Sequence, residues 1–360
     1  MRFPEFNGEW ETKLINDLAV VIGGGTPDTT IKSYWDGEIQ WFTPSEIGKN
    51  KYVDSSLRTI TEEGLNNSSA KLLPPNTILL SSRATIGECS LSLRECATNQ
   101  GFQSLVSKKC YVDFLYYLIQ TKKRDLIRKS CGSTFLEISA NEVRKIQVSV
   151  PTDVEQQKIA GLLSLIDERI ATQNKIIDKL QSLIKGIAQK IVRSNKPNVR
   201  LYECVECSSS TQQESEVCEQ GAYPVYGANG IVGYLDDYNT EGEAVYIIKD
   251  GSGVGTVSYV TGKCSATGTL NTLQAKDGYS LQYLYYLLKV FNFEPYKTGM
   301  AIPHIYFKDY GKAKVFCPSY TEQLQYARLL SAIDSKLSVE KNTLRNLSLQ
   351  KQYLLRQMFI

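Results

Sequence analysis

The feature that most constrains the fold is a heptad pattern that occurs twice in this chain of 360 residues. Between Glu155 and Val192, ten positions follow one another at alternating spacings of four and three, and nine of them are apolar. Adding 167 to each number gives a second series between Glu322 and Ile360, in which eight of the ten positions are apolar. This period predicts helices that pack along a partner helix. We therefore predict two long helices that form an antiparallel coiled coil.

The two seams share a polar residue at the same central place, Gln173 in the first and Glu340 in the second. One polar seam residue fixes the register of a coiled coil at a cost in stability. We expect the two side chains to lie within hydrogen-bonding reach of each other. The first seam is Ile159, Leu163, Ile166, Ile170, Gln173, Ile177, Leu180, Ile184, Ile187 and Ile191, and the second is Tyr326, Leu330, Ile333, Leu337, Glu340, Leu344, Leu347, Lys351, Leu354 and Met358.

A globular segment precedes each helix, and the two segments share landmarks in the same order, as an internal repeat does. The run 76–87 corresponds to 244–255, an apolar strand followed by a polar loop, and this alignment sets Arg83 opposite Gly251. We predict an α/β fold in which two tandem domains, each with a mixed or antiparallel sheet and short helices, are related by a pseudo-two-fold axis. The expected boundaries are 1–153 for the first domain, 154–195 for the first long helix, 196–320 for the second domain and 321–360 for the second long helix.

The net charge, the lack of long apolar runs and the cysteine spacing argue against a strongly basic nucleic-acid-binding protein, a membrane protein and a disulfide-rich secreted protein. The net charge is +3, and the segment 196–320 is net acidic, so any nucleic-acid binding must depend on local basic patches. A run of about 18 apolar residues and a signal-peptide pattern are both missing, which predicts a cytoplasmic protein without a membrane anchor. Nine cysteines follow no regular spacing, which indicates free thiols in a reducing compartment.

Three motifs suggest enzymes or metal sites, but each is incomplete. The run 251–255 resembles a nucleotide or adenosylmethionine loop, although Thr256 stands where a third glycine is needed. Cys204 and Cys207 form a single C-x-x-C pair, and a zinc site needs two more ligands. His304 is the single histidine, so a catalytic triad would have to be built on it. We predict no catalytic residue, no metal and no cofactor in this chain.

Basic and amide side chains on loops are the candidates for DNA contact, because lysine and arginine neutralise phosphates and arginine or asparagine reads base edges. The densest group follows the tyrosine-containing stretch 114–119 of the first domain. Each lysine taken alone is as easily explained as part of a solvated helix face. The candidates are Lys32, Arg83, Thr85, Lys122, Lys123, Arg124, Arg128, Lys129, Asn229, Lys249, Ser252, Lys297 and His304.

The complete pattern resembles the specificity subunit of type I restriction-modification systems. The resemblance lies in 24–27, 34–37 and Trp41 of the first segment, in 223–227 through Tyr234 of the second, and in the helix blocks 155–160 with 165–167 and 322–323 with 330–334. It extends over essentially the full chain, and the duplicated block from Glu-Gln to Ile-Asp is its most specific part.

The resemblance implies a subunit that has no catalytic activity of its own. Each globular segment would read one half of a bipartite double-stranded DNA target, and the coiled coil would set the gap and bind two modification subunits. Those partners would use adenosylmethionine, and restriction subunits would use ATP and Mg²⁺. Two alternatives are a coiled-coil adaptor that does not read DNA and a stand-alone DNA methyltransferase that uses the loop 251–255.

Overall fold

The computed structural model describes residues 2–132, 136–299 and 301–359. The chain divides into two compact units, of which unit 1 is Met1–Asn174 with Thr343–Ile360 and unit 2 is Lys175–Asn342. Each unit therefore contains one globular segment together with parts of both long helices.

Unit 1 is a mixed α/β assembly of three small sheets. Its strands are β1 (Glu11–Leu14), β2 (Ala19–Gly23), β3 (Trp35–Phe42), β4 (Tyr52–Val53), β5 (Arg58–Ile60), β6 (Ile78–Leu80), β7 (Cys89–Ser92), β8 (Cys96–Thr98), β9 (Gln103–Ser107) and β10 (Gln147–Val150). Its short helices are α1 (Ile15–Leu18), α2 (Glu62–Asn66), α3 (Val112–Thr121), α4 (Lys123–Arg128) and α5 (Ala140–Arg144). The helix α6 (Asp153–Arg193) begins in this unit and ends in unit 2.

The sheets of unit 1 have the orders β2-β9-β6-β7-β4, β5-β3-β8 and β1-β10. β6 pairs antiparallel with β7 and β9, whereas β3 runs parallel to β8. The antiparallel pair β1–β10 joins the start of the domain to its end, directly before α6. Apolar side chains from β6, β9 and α3 lie in one core with the first turns of α6, including Ile78, Leu105, Phe114, Tyr117 and Leu163.

Unit 2 repeats this plan. Its strands are β11 (Val199–Arg200), β12 (Val205–Ser209), β13 (Tyr223–Gly227), β14 (Gly230–Leu235), β15 (Glu243–Ile248), β16 (Val257–Thr261), β17 (Ser265–Ala266), β18 (Leu270–Ala275) and β19 (Lys314–Val315). Its helices are α7 (Leu201–Cys204), α8 (Leu281–Leu288), α9 (Phe307–Tyr310) and α10 (Tyr320–Met358), the last of which ends in unit 1.

The sheets of unit 2 have the orders β12-β18-β15-β16, β14-β13-β17 and β11-β19. The central strand β15 pairs antiparallel with β16 and β18, while β13 runs parallel to β17, as β3 does to β8 in unit 1. The predicted α/β fold with two tandem domains and mixed sheets is thus confirmed. The repeat lies in the scaffold, because strand order and strand direction match where loop lengths differ.

The heptad seams are buried in helix pairs of opposite direction. In unit 1 the first turns of α6 contact the last turns of α10, with Ile159, Leu163 and Ile166 in one cluster with Leu354 and Met358. In unit 2 the end of α6 lies beside the start of α10, and both contribute to the same small cavities. The predicted antiparallel pairing is therefore present in each unit.

A second polar seam residue, Lys351, is accommodated by an ion pair. Its Nζ lies 2.7 Å from Oδ1 of Asp167, and both side chains are largely buried. Residue 184, the corresponding position of the first seam, is isoleucine and is buried. Apolar burial therefore satisfies this seam position in unit 2, and an internal ion pair satisfies it in unit 1.

The glutamine of each Glu-Gln block attaches the long helix to its own domain. The amide group of Gln156 donates to the carbonyl oxygen of Pro151 and accepts from the backbone N–H of Tyr111, both at 2.9 Å. Gln323 does the same with Pro318 and Ser280, also at 2.9 Å. Because both glutamines are buried, each bond replaces water that a backbone group has lost.

The aspartate that ends each block contacts the same short helix further along. Asp167 and Asp334 each follow the glutamine by eleven residues, which returns to nearly the same helix face after about 16 Å. Tyr117 Oη donates to Asp167 at 2.7 Å, and Tyr286 Oη donates to Asp334 at 3.4 Å. The most specific part of the sequence pattern is thus a two-point attachment of α3 to α6 and of α8 to α10.

All nine cysteines are free, as the irregular spacing predicts, and five of them are buried. Burial raises the pKa of the Cys89 and Cys96 thiols to about 12. Within the described residues, every helix is too short or too polar to span a membrane.

Candidate nucleic-acid interface

In unit 1, the loop that follows β6 is held against the segment that leads to α5. The backbone N–H of Ile138 donates to the carbonyl oxygen of Ser82 at 3.1 Å. Arg83 and Glu137 then face each other in an isolated β-bridge, and Arg83 Nη2 lies 2.8 Å from Glu137 Oε2. We call the loop Ser82–Gly87 together with Glu137 and Ile138 the first clasp.

Unit 2 contains the same arrangement after β15. The backbone N–H of Ile305 donates to the carbonyl oxygen of Lys249 at 2.9 Å. Asp250 and His304 form the isolated bridge, and His304 Nδ1 lies 2.7 Å from Asp250 Oδ1. We call the loop Lys249–Gly255 together with His304 and Ile305 the second clasp.

The two clasps correct the sequence alignment at this loop. Adding 167 to each residue of the Arg83–Glu137 pair gives Asp250 and His304, so Arg83 corresponds to Asp250 and not to Gly251. The same offset relates the backbone partners of Glu137 and His304, which are Cys131 and Thr298. The sequence alignment was one residue off because it matched the glycines that close the two loops, and the second loop contains one extra residue.

Both loops bend at a residue with positive φ that directly follows the ion-paired residue. Ala84 has φ of +56° in the first clasp, and Gly251 has φ of +94° in the second. Glycine adopts this conformation freely, whereas alanine does so at a cost. The bend is therefore retained in the first clasp against the local preference of the residue, which indicates that the surrounding contacts impose it.

A basic helix flanks the first clasp. Lys123 begins α4, forms an ion pair with Glu88, and packs beside Gly87. Arg128 lies 2.8 Å from Asp125 on the same helix, and Arg124 is exposed. Lys122 and Lys129 stand at the two ends of α4. The structure thus brings this predicted basic cluster next to the loop that carries Arg83 and Thr85.

An open cleft of about 500 Å³ lies between α4 and the first clasp. Thr85 and Lys123 line it together with two apolar side chains, Ile127 and Leu136, which are 42% and 49% exposed. Glu88, the ion-pair partner of Lys123, also lines the cleft, and the exposed apolar groups suit contact with a thymine methyl group.

In unit 2 the candidate residues are fewer and more dispersed. We call 137–138 and 304–305 the return segments of the two clasps. Lys249, Ser252 and His304 belong to the second clasp, and Lys297 pairs with Glu294 at 2.6 Å just before its return segment. Asn229 lies in the exposed turn between β13 and β14. In unit 1, Lys32 lies in the exposed turn before β3. Asn229 and Lys32 thus belong to the three-stranded sheets, whereas the clasps follow the central strands of the larger sheets.

Sequence reasoning missed the two carboxylates of the clasps, Glu137 and Asp250. Each lies 54 residues from its partner, and carboxylates are not among the side chains that neutralise phosphates. The helix offset of 167, applied to the loops, would have aligned both pairs.

The seam residues Gln173 and Glu340 are both buried. Gln173 belongs to unit 1 and Glu340 to unit 2. Lys336 Nζ lies 2.5 Å from Glu340 Oε1 on the same helix. Hydrogen bonding between Gln173 and Glu340 stays a prediction.

The loop 251–255 lacks the context of a dinucleotide site, where the glycine-rich turn opens a helix. Here strand β16 follows it, beginning at Val257. Cys204 Sγ contacts Cys317 Sγ at 3.8 Å, while burial raises the pKa of Cys207 to about 11. Within 2–132, 136–299 and 301–359, no three histidine, cysteine or acidic side chains are grouped as metal ligands would be.

The chain is similar to a family described as the type I restriction modification DNA specificity domain, whose profile matches residues 7–182 and 198–348. Each match contains one clasp and one of the Glu-Gln blocks.

Among curated proteins, the MjaIX specificity subunit of a type I restriction enzyme from Methanocaldococcus jannaschii is 39% identical over 180 residues, which are 48% of this chain and 42% of that protein. The EcoprrI specificity subunit from Escherichia coli is 25% identical over 347 residues, which are 87% of this chain and 84% of that protein. The first relative thus matches over less than half of its own length, and the second over most of it.

Two solved structures share the fold. A type I restriction-modification S subunit from M. genitalium superposes with a TM-score of 0.66 at 19% identity, over 100% of this chain and 99% of that one. A chain from a study of complex assembly and conformational transition in a type I restriction-modification system gives a TM-score of 0.57 at 15% identity, over 98% of each chain. At such low identity these similarities concern the fold alone.

Proposed function

We propose that this chain, which belongs to the type I restriction modification DNA specificity family, is the non-catalytic subunit that selects the DNA sequence its partners modify. The observation that carries the proposal is the duplicated clasp. Two domains whose strand orders match except for the additional edge strand β4 hold the same loop in the same way, and the side chains on that loop differ. A scaffold of this kind can present two different readers.

Each domain would read one half of a bipartite double-stranded DNA target. Residues 1–153 would form the first recognition domain and residues 196–320 the second. The candidates for phosphate contact are the exposed or edge-positioned cations, because their ammonium and guanidinium groups neutralise the backbone without regard to sequence. These are Lys32, Lys122, Lys123, Arg124, Arg128, Lys129, Lys249 and Lys297.

Polar side chains on the clasps and turns are the candidates for contact with base edges, namely Arg83, Thr85, Asn229, Ser252 and His304. Hydrogen-bond donors and acceptors of this kind distinguish base pairs in the major groove. Their location in loops on a rigid sheet agrees with this role, since recognition loops can vary while the scaffold stays the same.

The long helices, residues 154–195 and 321–360, would set the separation of the two half-sites. Gln173 and Glu340 would fix their register by meeting near the middle of the pair. Support comes from the antiparallel pairing in each unit and from the repeated glutamine attachment, which ties each domain to its own long helix. The coiled coil would also offer equivalent surfaces to two modification subunits.

Those modification subunits would bring adenosylmethionine, and a restriction subunit would bring ATP and Mg²⁺. In this proposal the chain supplies binding and orientation only.

Co-expression tests the proposal directly. Mapping of adenine methylation in cells that carry this chain and a compatible modification subunit should show methylation at one split sequence, and cells without the chain should lack it. The purified chain alone should transfer no methyl group from adenosylmethionine to DNA. Methyl transfer by the isolated chain, or a methylation pattern that does not depend on it, would contradict the proposal.

A domain exchange separates the two halves. Replacement of residues 1–150 by those of a relative with another specificity should change one half of the methylated sequence and leave the other half and the gap unchanged. An adaptor that does not read DNA would leave the methylated sequence unchanged.

A further inference from the structure

The two clasps keep the same backbone contacts but carry their acidic residue on opposite sides, on the return segment in the first and on the loop in the second. In both, the residue after the bridge donates its N–H to the loop, and the loop bends at the next residue with positive φ. The loop supplies the cation in the first clasp, Arg83, and the anion in the second, Asp250. The return segment supplies Glu137 in the first and His304 in the second. The backbone bonds from Ile138 and Ile305 hold both loops in the same way, so attachment alone does not require the acidic and basic side chains to change places.

We propose that Arg83 and His304 are the residues that read a base edge in each half-site, and that Glu137 and Asp250 are positioning residues that hold them ready. The first domain would thus present guanidinium donors from the loop, and the second would present the imidazole Nε2 of His304, an acceptor in the neutral ring, from the return segment. This inference rests on the proposed function, since it assigns the readers of the DNA that the chain is proposed to select.

Arg83 has unused donors while it is held. Its Nη2 contacts Glu137 and the side chain is 43% exposed, while its Nε–H is buried without a hydrogen-bond partner among the described residues. A guanidinium held in this way can still offer its remaining Nη N–H groups to the O6 and N7 acceptors of guanine. Preorganisation by Glu137 lowers the entropic cost of ordering a long side chain upon binding.

The surroundings of Arg83 support contact with DNA. The exposed Arg124 and Arg128 lie on the adjacent α4, and Ile127 and Leu136 line the cleft beside the loop together with the Lys123–Glu88 ion pair. The exposed arginines attract the phosphates, and the apolar side chains suit a neighbouring thymine methyl group.

His304 is also held by a carboxylate, but it lies on the return segment and not on the loop. Asp250 holds Nδ1 at 2.7 Å, which leaves Nε2 as the ring atom available to a ligand, and the side chain is 35% exposed. A carboxylate that binds one ring nitrogen fixes both the tautomer and the ring orientation. Lys249 and Ser252 lie on the facing loop and can contact the backbone beside it.

A charge-swapped pair separates reading from mere attachment. The double variant Arg83→Glu with Glu137→Arg retains the ion pair but moves the guanidinium from the loop to the return segment. In cells that carry the full chain and its modification subunit, we expect the methylated sequence to change at one or two base pairs of one half-site only. Asp250→His with His304→Asp should do the same in the other half-site.

Single variants support the swap. Arg83→Gln should reduce methylation of the original sequence roughly tenfold or more relative to sequences altered at one position, because a good bidentate contact discriminates to that extent. Arg128→Gln is the matched control, since Arg128 lies in the same basic patch but pairs with Asp125 on its own helix. It should weaken methylation of all sequences alike and leave the recognised sequence unchanged.

The outcomes distinguish a failure of the proposed function from a failure of the assignment of Arg83 and His304 as base-contacting residues. If the wild-type chain directs no sequence-specific methylation, the proposed function fails. If the wild type directs it and the charge-swapped chain, folded with an unchanged melting temperature, keeps both half-sites, the assignment of readers is wrong while the proposed function stands. Should the double variant unfold, Arg83→Lys decides, because lysine keeps the charge without the fork. An unchanged sequence preference with Arg83→Lys would overturn the assignment, and relaxation at one base pair would support it.

Discussion

At the scale of single residues, Ala84 shows how the first clasp is held. It adopts φ of +56° between Arg83 and Thr85, where the corresponding residue of the second clasp is a glycine. A non-glycine residue in this conformation costs about 1 kcal/mol. Strain of this kind persists where surrounding contacts determine the backbone, and here these are the Arg83–Glu137 pair and the bond from Ile138 to Ser82.

The first prediction concerns this strain. Ala84→Gly should leave the free energy of unfolding unchanged or raise it by up to about 1 kcal/mol, because the relief of strain offsets the greater flexibility of the unfolded chain. Ala171→Gly, at an exposed position within α6, is the control and should lose about 1 kcal/mol. Urea unfolding of both variants measures the difference. An equal loss for both would show that Ala84 is not strained.

The second prediction concerns the thiols and follows from their pKa values. Burial raises the pKa of Cys89 and Cys96 to about 12, so that at pH 8 only about one thiol in ten thousand is ionised. The exposed Cys131 and Cys218 should react rapidly with an alkylating reagent at pH 8, while Cys89 and Cys96 stay unmodified until the protein unfolds. Peptide mass spectrometry over a time course measures the order. Early labelling of Cys89 in the folded protein would contradict it.

At the scale of elements, the contacts that attach the short helix of each domain to its long helix repeat between the units. Gln156 and Gln323 occupy the same place and bind one backbone N–H and one backbone carbonyl each. Leucine would leave both backbone groups without this hydrogen-bond partner. Each such group costs about 1–3 kcal/mol.

The third prediction tests this attachment. Gln156→Leu should lower the free energy of unfolding by about 2–4 kcal/mol, since the Tyr111 N–H and the Pro151 carbonyl lose their partner. Gln157→Leu, at the adjacent exposed position, should change it by less than about 0.5 kcal/mol. Calorimetry on the full chain measures both. A Gln156 variant as stable as the Gln157 variant would remove the glutamine from the list of structural contacts.

At the scale of the whole molecule, the proposed function needs two readers at a defined separation, and the length of the paired helices is the property that would set it. α6 extends over 41 residues and α10 over 39. At 1.5 Å per residue these helices are each roughly 60 Å long.

The fourth prediction uses that length. Insertion of seven residues in the seam pattern into both α6 and α10 should lengthen each helix by about 10 Å, which corresponds to about three base pairs of DNA. We expect the methylated sequence to keep both half-sites while the gap between them grows. Insertion into α6 alone is the control, and it should abolish methylation because the two seams no longer match. A constant gap in the doubly extended chain would show that the helices do not act as a ruler.

The sequence alone determined the long helices, their antiparallel pairing and the duplication. These properties depend on periodicity, and a heptad seam or a repeat can be read from the spacing of residues without knowledge of distant contacts. The tertiary structure decided the rest. It paired Arg83 with Glu137 and Asp250 with His304, each across 54 residues, and corrected the alignment of their loops by one position. It also showed that Gln156 and Gln323 bind backbone groups. The sequence does not reveal such bonds, because they depend on which distant segment lies beside the side chain after folding, and local residue spacing does not contain that information.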